Sequence, residues 1–157
     1  MQFEAIYQQW YLKIFRLCMG YVNDEELARD LTQETFIIVW QKLHTFRQES
    51  SIGTWIYRIA SNTCFRSMEK SKRMPAAELP VQLPDVPEPD REEKIRQLYK
   101  CISTLEEPER IIIALVLDGL PHAEIAAITG LTEVNTRVKV HRIKEKLFKK
   151  LQANEQL

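Results

Sequence analysis

The sequence predicts an all-α protein made of two small helical domains joined by a proline-rich linker. Apolar residues recur every three to four positions, and the strict alternation typical of strands is almost absent. Five of the seven prolines fall between Met74 and Asp90, a density that excludes a helix there and favours an extended connector. The chain of 157 residues is therefore predicted to hold a domain at 1–73, the linker at 74–91 and a second domain at 92–157.

Three helices are predicted in the first domain. The opening helix places Phe3, Tyr7, Trp10, Ile14 and Cys18 on one face. Asn23 is predicted to be the N-cap of the second helix, with Glu26 three residues on, and this helix should run to about Leu43. The apolar face of the second helix is expected to consist of Leu27, Leu31, Phe36, Val39 and Leu43.

The rest of the first domain is predicted as a loop and a third helix. Residues 44–53 are polar and lack periodicity, which is typical of a loop. The third helix should begin near Thr54 and continue to about Lys72. It is expected to bury some combination of Trp55, Ile56, Ile59, Ala60 and Thr63.

Four helical segments are predicted in the second domain, at 92–104, 108–117, 122–128 and from Thr132 to about Leu151. Pro108 suits the first turn of the second segment. Gly130 suits the C-terminal cap of the third, and Thr132 caps the last. The short connection through Gly130 matches a helix-turn-helix.

The last helix is basic on its outward side. Its apolar stripe consists of Thr136, Val140, Ile143, Leu147 and Leu151. Arg137, Val138, His141 and Arg142 lie on a different face, which favours entry into the major groove of DNA. The alternative is the solvated face of an ordinary amphipathic helix. A formal net charge of zero does not oppose DNA binding, because the positive charge is concentrated at this end of the chain.

The residue patterns predict no catalytic centre, no metal and no cofactor. The three histidines have no metal-ligand spacing with Cys18, Cys64 or Cys101, and no glycine-rich phosphate loop or paired nucleophile and base is present. The cysteines are interpreted as reduced core or surface thiols. Because no apolar run reaches the ~18 residues of a membrane span and no signal-peptide pattern opens the chain, we expect a cytoplasmic protein without membrane insertion.

Two long segments carry a family resemblance. "GLPHAEIAAITGLTEVNTRVKVHRIKEKLFKKL" resembles the fourth conserved region of extracytoplasmic-function sigma factors, and "ARDLTQETFIIVWQKLHTFRQESSIGTWIYRIASN" resembles their second region. The two matches stand in the family's order and cover most of the chain. The resemblance implies a region 2 three-helix bundle and a region 4 helix-turn-helix, in a protein that binds core RNA polymerase and directs initiation at a restricted set of promoters.

The resemblance also assigns residues to partners. Asp30, Gln33 and Glu34 match positions that bind the clamp of the polymerase beta-prime subunit, and they share one helix face because their spacing is i, i+3 and i+4. A merely solubilising face is the alternative. The beta subunit is a further expected contact, and an anti-sigma factor is the expected inhibitor.

The region 2 resemblance implies a site for the minus-ten promoter element. The loop from Phe46 to Gly53 matches one that captures a flipped-out base, which stabilises an opened duplex. The residues implied at this site are Arg47, Ser50, Ser51, Trp55, Arg58, Asn62 and Arg66. Whether Trp55 belongs to the core or wedges into DNA stays open.

The region 4 resemblance implies contacts to the minus-thirty-five element in the major groove. The residues implied are Thr132, Asn135, Arg137, Val138, Lys139, His141 and Arg142. Three positions depart from the family pattern: Arg66 replaces an acidic residue, Pro121 replaces a serine cap and Val134 replaces a small residue. These departures put the promoter sequence in doubt and leave the class of protein unchanged.

The acidic linker fits the same interpretation. At about 3.1 Å per residue, an extended segment of this length reaches about 50 Å, which approaches the separation of two promoter elements. A conventional helix-turn-helix regulator, with an N-terminal sensing or dimerisation module, is the main alternative. A regulator of that kind would have no reason to carry the face formed by Asp30, Gln33 and Glu34. An adaptor that binds polymerase without reading promoters would lack the basic face of the last helix.

Overall fold

The computed structural model describes residues 2–73 and 90–155, with side chains for 2–67 and 93–154. Within those ranges the chain forms seven α-helices and one 3₁₀ turn, and none of these residues is in a strand. The predicted all-α class is therefore confirmed. The proline-rich part of the predicted linker, residues 74–89, lies outside the described residues.

The N-terminal domain contains three helices and a short turn. They are α1 (Phe3–Val22), α2 (Glu25–Lys42), the 3₁₀ turn Leu43–Thr45 and α3 (Ile52–Arg73). The α1 helix packs against α2 and α3, and α2 packs against α3, which makes the expected three-helix bundle.

The boundary between α1 and α2 corrects one prediction. Asn23 does not cap α2: it ends α1 in the left-handed conformation, with φ 50°, and its N–H donates to the carbonyl of Met19. Asp24 is the N-cap of α2, because its carboxylate accepts a hydrogen bond of 3.0 Å from the N–H of Leu27. Asparagine tolerates the left-handed region better than most residues. Asn23 can therefore end α1, and the adjacent Asp24 caps the start of α2.

Burial in this domain follows the predicted faces with one exception. Leu31, Phe36 and Val39 are buried, whereas Leu27 is 37% exposed in the first turn of α2. The prediction from periodicity was wrong at Leu27, because this residue of the first turn stays exposed. The α3 helix starts two residues earlier than predicted, and of its candidate residues Ile56, Ala60 and Thr63 are buried while Trp55 and Ile59 are half-buried.

The C-terminal domain contains four helices. They are α4 (Asp90–Ser103), α5 (Glu107–Leu117), α6 (His122–Thr129) and α7 (Glu133–Glu155). Asp90 and Arg91, which the prediction placed in the linker, are the first two residues of α4. Pro108 lies in the first turn of α5 as predicted, where the missing N–H costs no hydrogen bond.

Local signals form the turn between α6 and α7. Gly130 adopts φ 82°, and its N–H donates to the carbonyl of Ala126. Thr132 then caps α7, because its hydroxyl accepts a hydrogen bond of 3.1 Å from the N–H of Asn135. Both caps were predicted, and they position α7 as the second helix of a helix-turn-helix.

The two domains pack directly against each other and share one apolar core. The α1 helix contacts both α4 and α5, and α3 contacts α6. Gly20 of α1 lies so near α5 that a Cβ placed there would be 3.1 Å from the Cβ of Ala114. This distance is tighter than ordinary van der Waals contact, so α1 and α5 approach each other closely at Gly20.

All three cysteines are buried thiols, which agrees with the core interpretation. The Sγ atoms of Cys18 and Cys64 lie 3.9 Å apart between α1 and α3. The hydrogen bond to Cys18 and burial both raise the pKa of the Cys64 thiol. Such a thiol stays protonated and behaves as a small apolar side chain.

Candidate nucleic-acid and protein interfaces

The N-terminal half of α7 presents a continuous exposed row. Arg137, Val138, His141 and Arg142 are all exposed, as the pattern predicted, while Thr136, Val140, Ile143 and Leu147 face the core. Arg137 and Glu133 form a 3.9 Å ion pair, and His141 and Glu145 lie 3.2 Å apart, all with largely exposed side chains. Exposed contacts of this kind are weak, so the side chains of Arg137 and His141 are free to turn toward a phosphate or a base edge.

The remaining predicted residues of α7 lie near its start. The hydroxyl of Thr132 is engaged in the helix cap, and the side chain of Asn135 is exposed. Val134 is 69% exposed and Val138 43% exposed, which suits contact with a thymine methyl group. Lys139 differs from the other residues, because it lines a pocket that it shares with Asn62 of α3.

The loop between the 3₁₀ turn and α3 is held by aromatic and capping contacts. The rings of Phe46 and Trp55 lie 5.0 Å apart between centroids, and Trp55 is half-buried on the side of the core. Arg47 is exposed and Ser50 half-buried. The hydroxyl of Ser51 accepts a 3.1 Å hydrogen bond from the N–H of Thr54, so Ser51 caps α3 in this structure.

Gly53 fixes the start of α3 against α1, a contact that the sequence pattern did not reveal. A Cβ on Gly53 would stand 2.4 Å from Cη2 of Trp10. Only glycine lets the α3 backbone approach this ring so closely. The position of the loop therefore depends on Trp10 of α1, which is more than forty positions away in the sequence.

The outward row of α3 comprises Arg58, Asn62 and Arg66, all exposed. Asn62 and Arg66 line a shallow groove between α2 and α3 together with Lys42, a cation that the sequence analysis missed. Arg58 is engaged elsewhere: its Nε and Nη2 donate hydrogen bonds of 2.9 and 2.5 Å to the carbonyl of Ala127 in α6.

The predicted polymerase-binding residues share the exposed face of α2. Asp30, Gln33 and Glu34 all point away from the bundle, as the spacing predicted. The same face continues into Ile37, 54% exposed, and Trp40, 63% exposed. The sequence analysis missed these two apolar residues, although their i+4 and i+7 spacing from Gln33 could have revealed them. Uncovered apolar side chains beside polar ones are typical of protein interfaces.

Asp118, just after α5, joins the two domains. Its Oδ1 accepts a 2.8 Å hydrogen bond from Nε of Arg16, and its Oδ2 accepts one of 3.1 Å from the hydroxyl of Tyr57. The Asp118 side chain is only 10% exposed. Burial and the neighbouring Asp118 carboxylate raise the pKa of Tyr57, so this hydroxyl stays protonated and donates. Sequence analysis gave no role to any of these three residues.

Among residues 2–73 and 90–155, no helix is both long and apolar enough to cross a membrane. Among the same residues no three His, Cys, Asp or Glu side chains are grouped as metal ligands.

Comparison with known proteins agrees with this arrangement. The family model described as Sigma-70 region 2 matches residues 6–74, and the model described as Sigma-70, region 4 matches residues 95–147. An ECF RNA polymerase sigma-E factor from Escherichia coli K12 is 30% identical over 166 residues, which cover 96% of this chain and 86% of the relative. An RNA polymerase sigma-H factor from Pseudomonas aeruginosa is 28% identical with the same coverage.

A region 2 bundle followed by a region 4 helix-turn-helix defines a sigma-70-type initiation factor. The chain belongs to the extracytoplasmic-function sigma factors of the sigma-70 family. It binds core RNA polymerase and directs sequence-specific initiation at a restricted set of promoters, with minus-ten and minus-thirty-five elements. Members of this family are initiation factors and not enzymes.

Two solved structures share the fold. The sigma factor RpoE of Bartonella quintana, solved with the anti-sigma factor NepR, has a TM-score of 0.73 at 21% identity and matches 95% of this chain and 98% of its own. CnrH, solved with the cytosolic domain of CnrY, has a TM-score of 0.75 at 18% identity and matches 96% of this chain and 88% of its own.

Proposed function

We propose that the exposed face of α2 binds the beta-prime clamp of core RNA polymerase. The observation that carries this proposal is the uncovered pair Ile37 and Trp40 beside Asp30, Gln33 and Glu34. Aromatic and aliphatic anchors surrounded by polar residues are what a protein interface requires. A helix face that only confers solubility would consist of polar residues, whereas this face includes a tryptophan that is 63% exposed.

The minus-ten element is read by the loop and by the outward row of α3. Arg47 and the loop backbone hold an unpaired base, and Ser50 supports it with its hydroxyl. Asn62 contacts a base edge, while Arg58 and Arg66 follow the phosphates of the single strand. The half-buried Trp55 and the helix-capping Ser51 support this site by shaping the loop.

The minus-thirty-five element is read by α7 in the major groove. Arg137 and Arg142 contact guanine edges or phosphates, Val138 contacts a methyl group, and Asn135 and His141 supply further hydrogen bonds. Thr132 holds the helix start beside the DNA backbone, and Lys139 adds a phosphate contact. The exposed valines of this helix favour sites that contain thymine.

A second protein surface lies on the C-terminal domain. The groove between α5 and α7 is lined by apolar side chains, of which Leu117 is 52% and Phe148 62% exposed. An amphipathic helix of the polymerase beta subunit or of an anti-sigma factor would bury them. The similar sigma factor RpoE of Bartonella quintana was solved with the anti-sigma factor NepR, which supports an inhibitor of this class here.

The chain adds no catalysis and no cofactor of its own. It works in the cytoplasm, where it shares polymerase and promoters with other sigma factors. Polymerase supplies the chemistry, and the sigma factor supplies promoter selection and stabilises the opened DNA.

The test is genome-wide transcription in vitro with core RNA polymerase of the host, followed by mapping of the new 5′ ends. Wild-type protein should produce discrete starts that share two upstream elements. The variant Asp30→Ala/Gln33→Ala/Glu34→Ala should lose them, and Trp40→Ala should weaken polymerase binding at least ~10-fold, as central aromatic anchors do.

Glu4→Ala/Gln8→Ala is the matched control, because both residues are exposed on a different helix, α1. It should transcribe like wild type. If wild-type protein binds promoter duplex alone yet gives no polymerase-dependent starts, the assignment of these surfaces is wrong. A conventional regulator would then explain the DNA binding better.

A further inference from the structure

The groove between α2 and α3 contains more than the two residues that the proposed minus-ten contacts use. Its lining consists of Ile38 and Lys42 from α2 and of Ile59, Asn62, Phe65 and Arg66 from α3. The groove has a volume of about 400 Å³, within the range of pockets that bind small organic groups. Lys42 directly precedes the 3₁₀ turn that leads into the loop proposed to capture a base.

The edges of the α2–α3 groove are positively charged. Lys42 and Arg66 are both exposed, and they come from different helices. None of the described residues that line the groove is acidic. Within residues 2–67 and 93–154, neither cation has a carboxylate partner. Two cations at one groove without a counter-charge favour an anionic ligand such as a phosphate.

The floor of the groove is apolar and includes an aromatic ring. Ile38, Ile59 and Phe65 line it and are half-buried. The Phe65 ring meets the ring of the buried Tyr21 edge to face, with centroids 5.6 Å apart and planes at 87°. This contact fixes the ring from the side of the core. A fixed and partly exposed aromatic ring is the kind of surface on which an unstacked nucleobase binds.

The position of Lys42 at the end of α2 has an ordinary structural explanation as well. A lysine in the last turn offsets the partial negative charge of the helix C-terminus. The carbonyl of Lys42 accepts a 2.6 Å hydrogen bond from the hydroxyl of Thr45. Lys100 has the same arrangement in the last turn of α4, where its carbonyl accepts a 2.6 Å hydrogen bond from Ser103. The two lysines differ in that Lys42 lines the groove and Lys100 does not.

We propose that the α2–α3 groove binds one unstacked nucleotide of the opened DNA strand, and that Asn62 contacts the edge of its base. Phe65 and Ile59 contact the face of this base, and Lys42 and Arg66 bind its flanking phosphates. The inference rests on the proposed minus-ten site and extends it by a second nucleotide position, apart from the base in the loop. Because base faces and phosphates differ little among nucleotides, these four residues add affinity, while Asn62 adds preference for particular bases.

A contact with the face of a base stabilises opened DNA alone. In a duplex that face is covered by the neighbouring base pairs, so Phe65 can reach it only after the base has left the stack. A ligand that binds one of two states shifts the equilibrium toward that state. The groove would therefore help to keep the promoter open once polymerase and the loop have opened it.

Abasic nucleotides locate the position in the first test. The probe is a fluorescent oligonucleotide with the non-template sequence around a minus-ten element mapped with this protein, and it is bound to holoenzyme at saturating core polymerase. Removing one base at a time keeps every phosphate. Wild-type holoenzyme should lose about fivefold or more in affinity at two positions, one for the loop and one for the groove.

Phe65→Leu assigns one of these positions to the groove. This change keeps an apolar side chain and removes the aromatic face. The variant should bind the intact probe more weakly than wild type, and it should lose the abasic penalty at the groove position alone. Asn62→Ala should relax the preference among the four bases at that same position. An abasic penalty that Phe65→Leu leaves unchanged at every position overturns the inference.

Lys42→Ala tests the phosphate contact. It should weaken binding of the probe about fivefold or more, and by the same factor whichever base occupies the groove position. It should also make the slope of log K against log salt shallower by ~0.7, because one phosphate contact with a single strand is lost. Weaker binding with an unchanged slope would contradict a phosphate contact.

Lys100→Ala is the matched control, because it removes the same charge from the last turn of a helix outside the groove. It should bind the probe like wild type, with an unchanged salt slope. Urea denaturation should show equal stability for the two lysine variants. The affinity for core polymerase should stay at the wild-type value in Lys42→Ala. A loss of that affinity with DNA binding intact would assign Lys42 to the polymerase interface and overturn the groove site.

The abasic series separates failure of the groove from failure of the proposed minus-ten site. If wild-type holoenzyme shows a penalty that Arg47→Ala removes and no second penalty, the loop captures a base and the groove binds none. If no position shows a penalty, neither the loop nor the groove holds an unstacked base. Lys42→Ala that behaves like Lys100→Ala leaves the loop in place and overturns the groove site.

Discussion

The two surfaces proposed to read DNA in this sigma factor are built in different ways. The surface on α7 depends on local signals, namely Gly130 in the left-handed region and the Thr132 cap, and it is open to solvent. The surface on α3 depends on distant contacts, with Gly53 against Trp10 and Arg58 bonded to the other domain. The first is formed within the helix-turn-helix, whereas the second depends on contacts with α1 and α6.

The largest expected effect tests whether the α7 surface acts alone. Arg137→Ala/Arg142→Ala should weaken binding of the free protein to minus-thirty-five duplex about 10-fold or more, because each good contact contributes ~1–3 kcal/mol. Arg58→Ala should leave this binding unchanged. Fluorescence anisotropy at fixed salt measures both, since these affinities depend steeply on ionic strength.

Lys144→Ala/Lys149→Ala is the control for charge. It removes two positive charges from exposed positions further along α7. Equal losses in both double variants would mean a diffuse electrostatic attraction in place of groove reading.

The next largest effect is expected from a test of whether contacts with α1 position the α3 surface. Gly53→Ala should lower the free energy of unfolding by about 1–3 kcal/mol, because the new methyl group would meet the Trp10 ring at 2.4 Å. Urea denaturation measures the change. The double variant Gly53→Ala/Trp10→Phe should recover part of it, since the smaller ring leaves room. No loss in the single variant would show that the loop is not fixed by α1.

A smaller effect is expected from a test of whether the local helix cap stabilises the α7 surface. Thr132→Ala should cost about 1 kcal/mol of stability, because the N–H of Asn135 loses its acceptor. Thr132→Ser keeps the hydroxyl and should behave nearly like wild type. A loss as large with serine as with alanine would point to packing of the methyl group and not to the cap.

The smallest effect concerns alkaline pH and the contact between the domains. The raised pKa of Tyr57 means that the folded state favours its neutral form. The stability that this preference contributes is complete below about pH 10, the pKa of tyrosine in the unfolded chain. It is lost as the pH rises above that value. Arg16, Asp118 and Glu124 are the charged groups that influence it.

Tyr57→Phe should cost about 1 kcal/mol at pH 8, because one hydrogen bond to Asp118 is lost. Between pH 10 and pH 11.5 the variant should lose less stability than wild type. Denaturation curves at the two pH values provide the comparison. Parallel losses in both proteins would assign the alkaline sensitivity to Tyr21 and Tyr99, whose pKa values are also raised.

Sequence reasoning succeeded where the signals were local. The turn through Gly130, the Thr132 cap and the first-turn Pro108 were all predicted, because each depends on a few adjacent residues. It was wrong about Asn23, because two neighbouring residues could both cap a helix and only the helix geometry decides between them. It also placed Leu27 in the core, since periodicity shows which face is apolar and not where the bundle ends.

The site residues divide in the same way. Exposure of the α2 and α7 faces followed from spacing alone, while their partners came from the family resemblance. Ile37 and Trp40 were missed although their spacing from Gln33 continues the outward face of α2, because apolar residues of a helix are more often buried than exposed. Lys42 was missed because it joins Asn62 and Arg66 only across two helices.

The sequence by itself determined the helical class, the two matched regions and the basic face of α7, because those properties are periodic or continuous along the chain. Only the tertiary structure decided that the two domains close on each other. Asp118, Arg16 and Tyr57 lie in three separate segments and have ordinary neighbours in sequence. Their charges and hydroxyl acquire a role only when α1, α3 and the end of α5 meet, so no local pattern could reveal it.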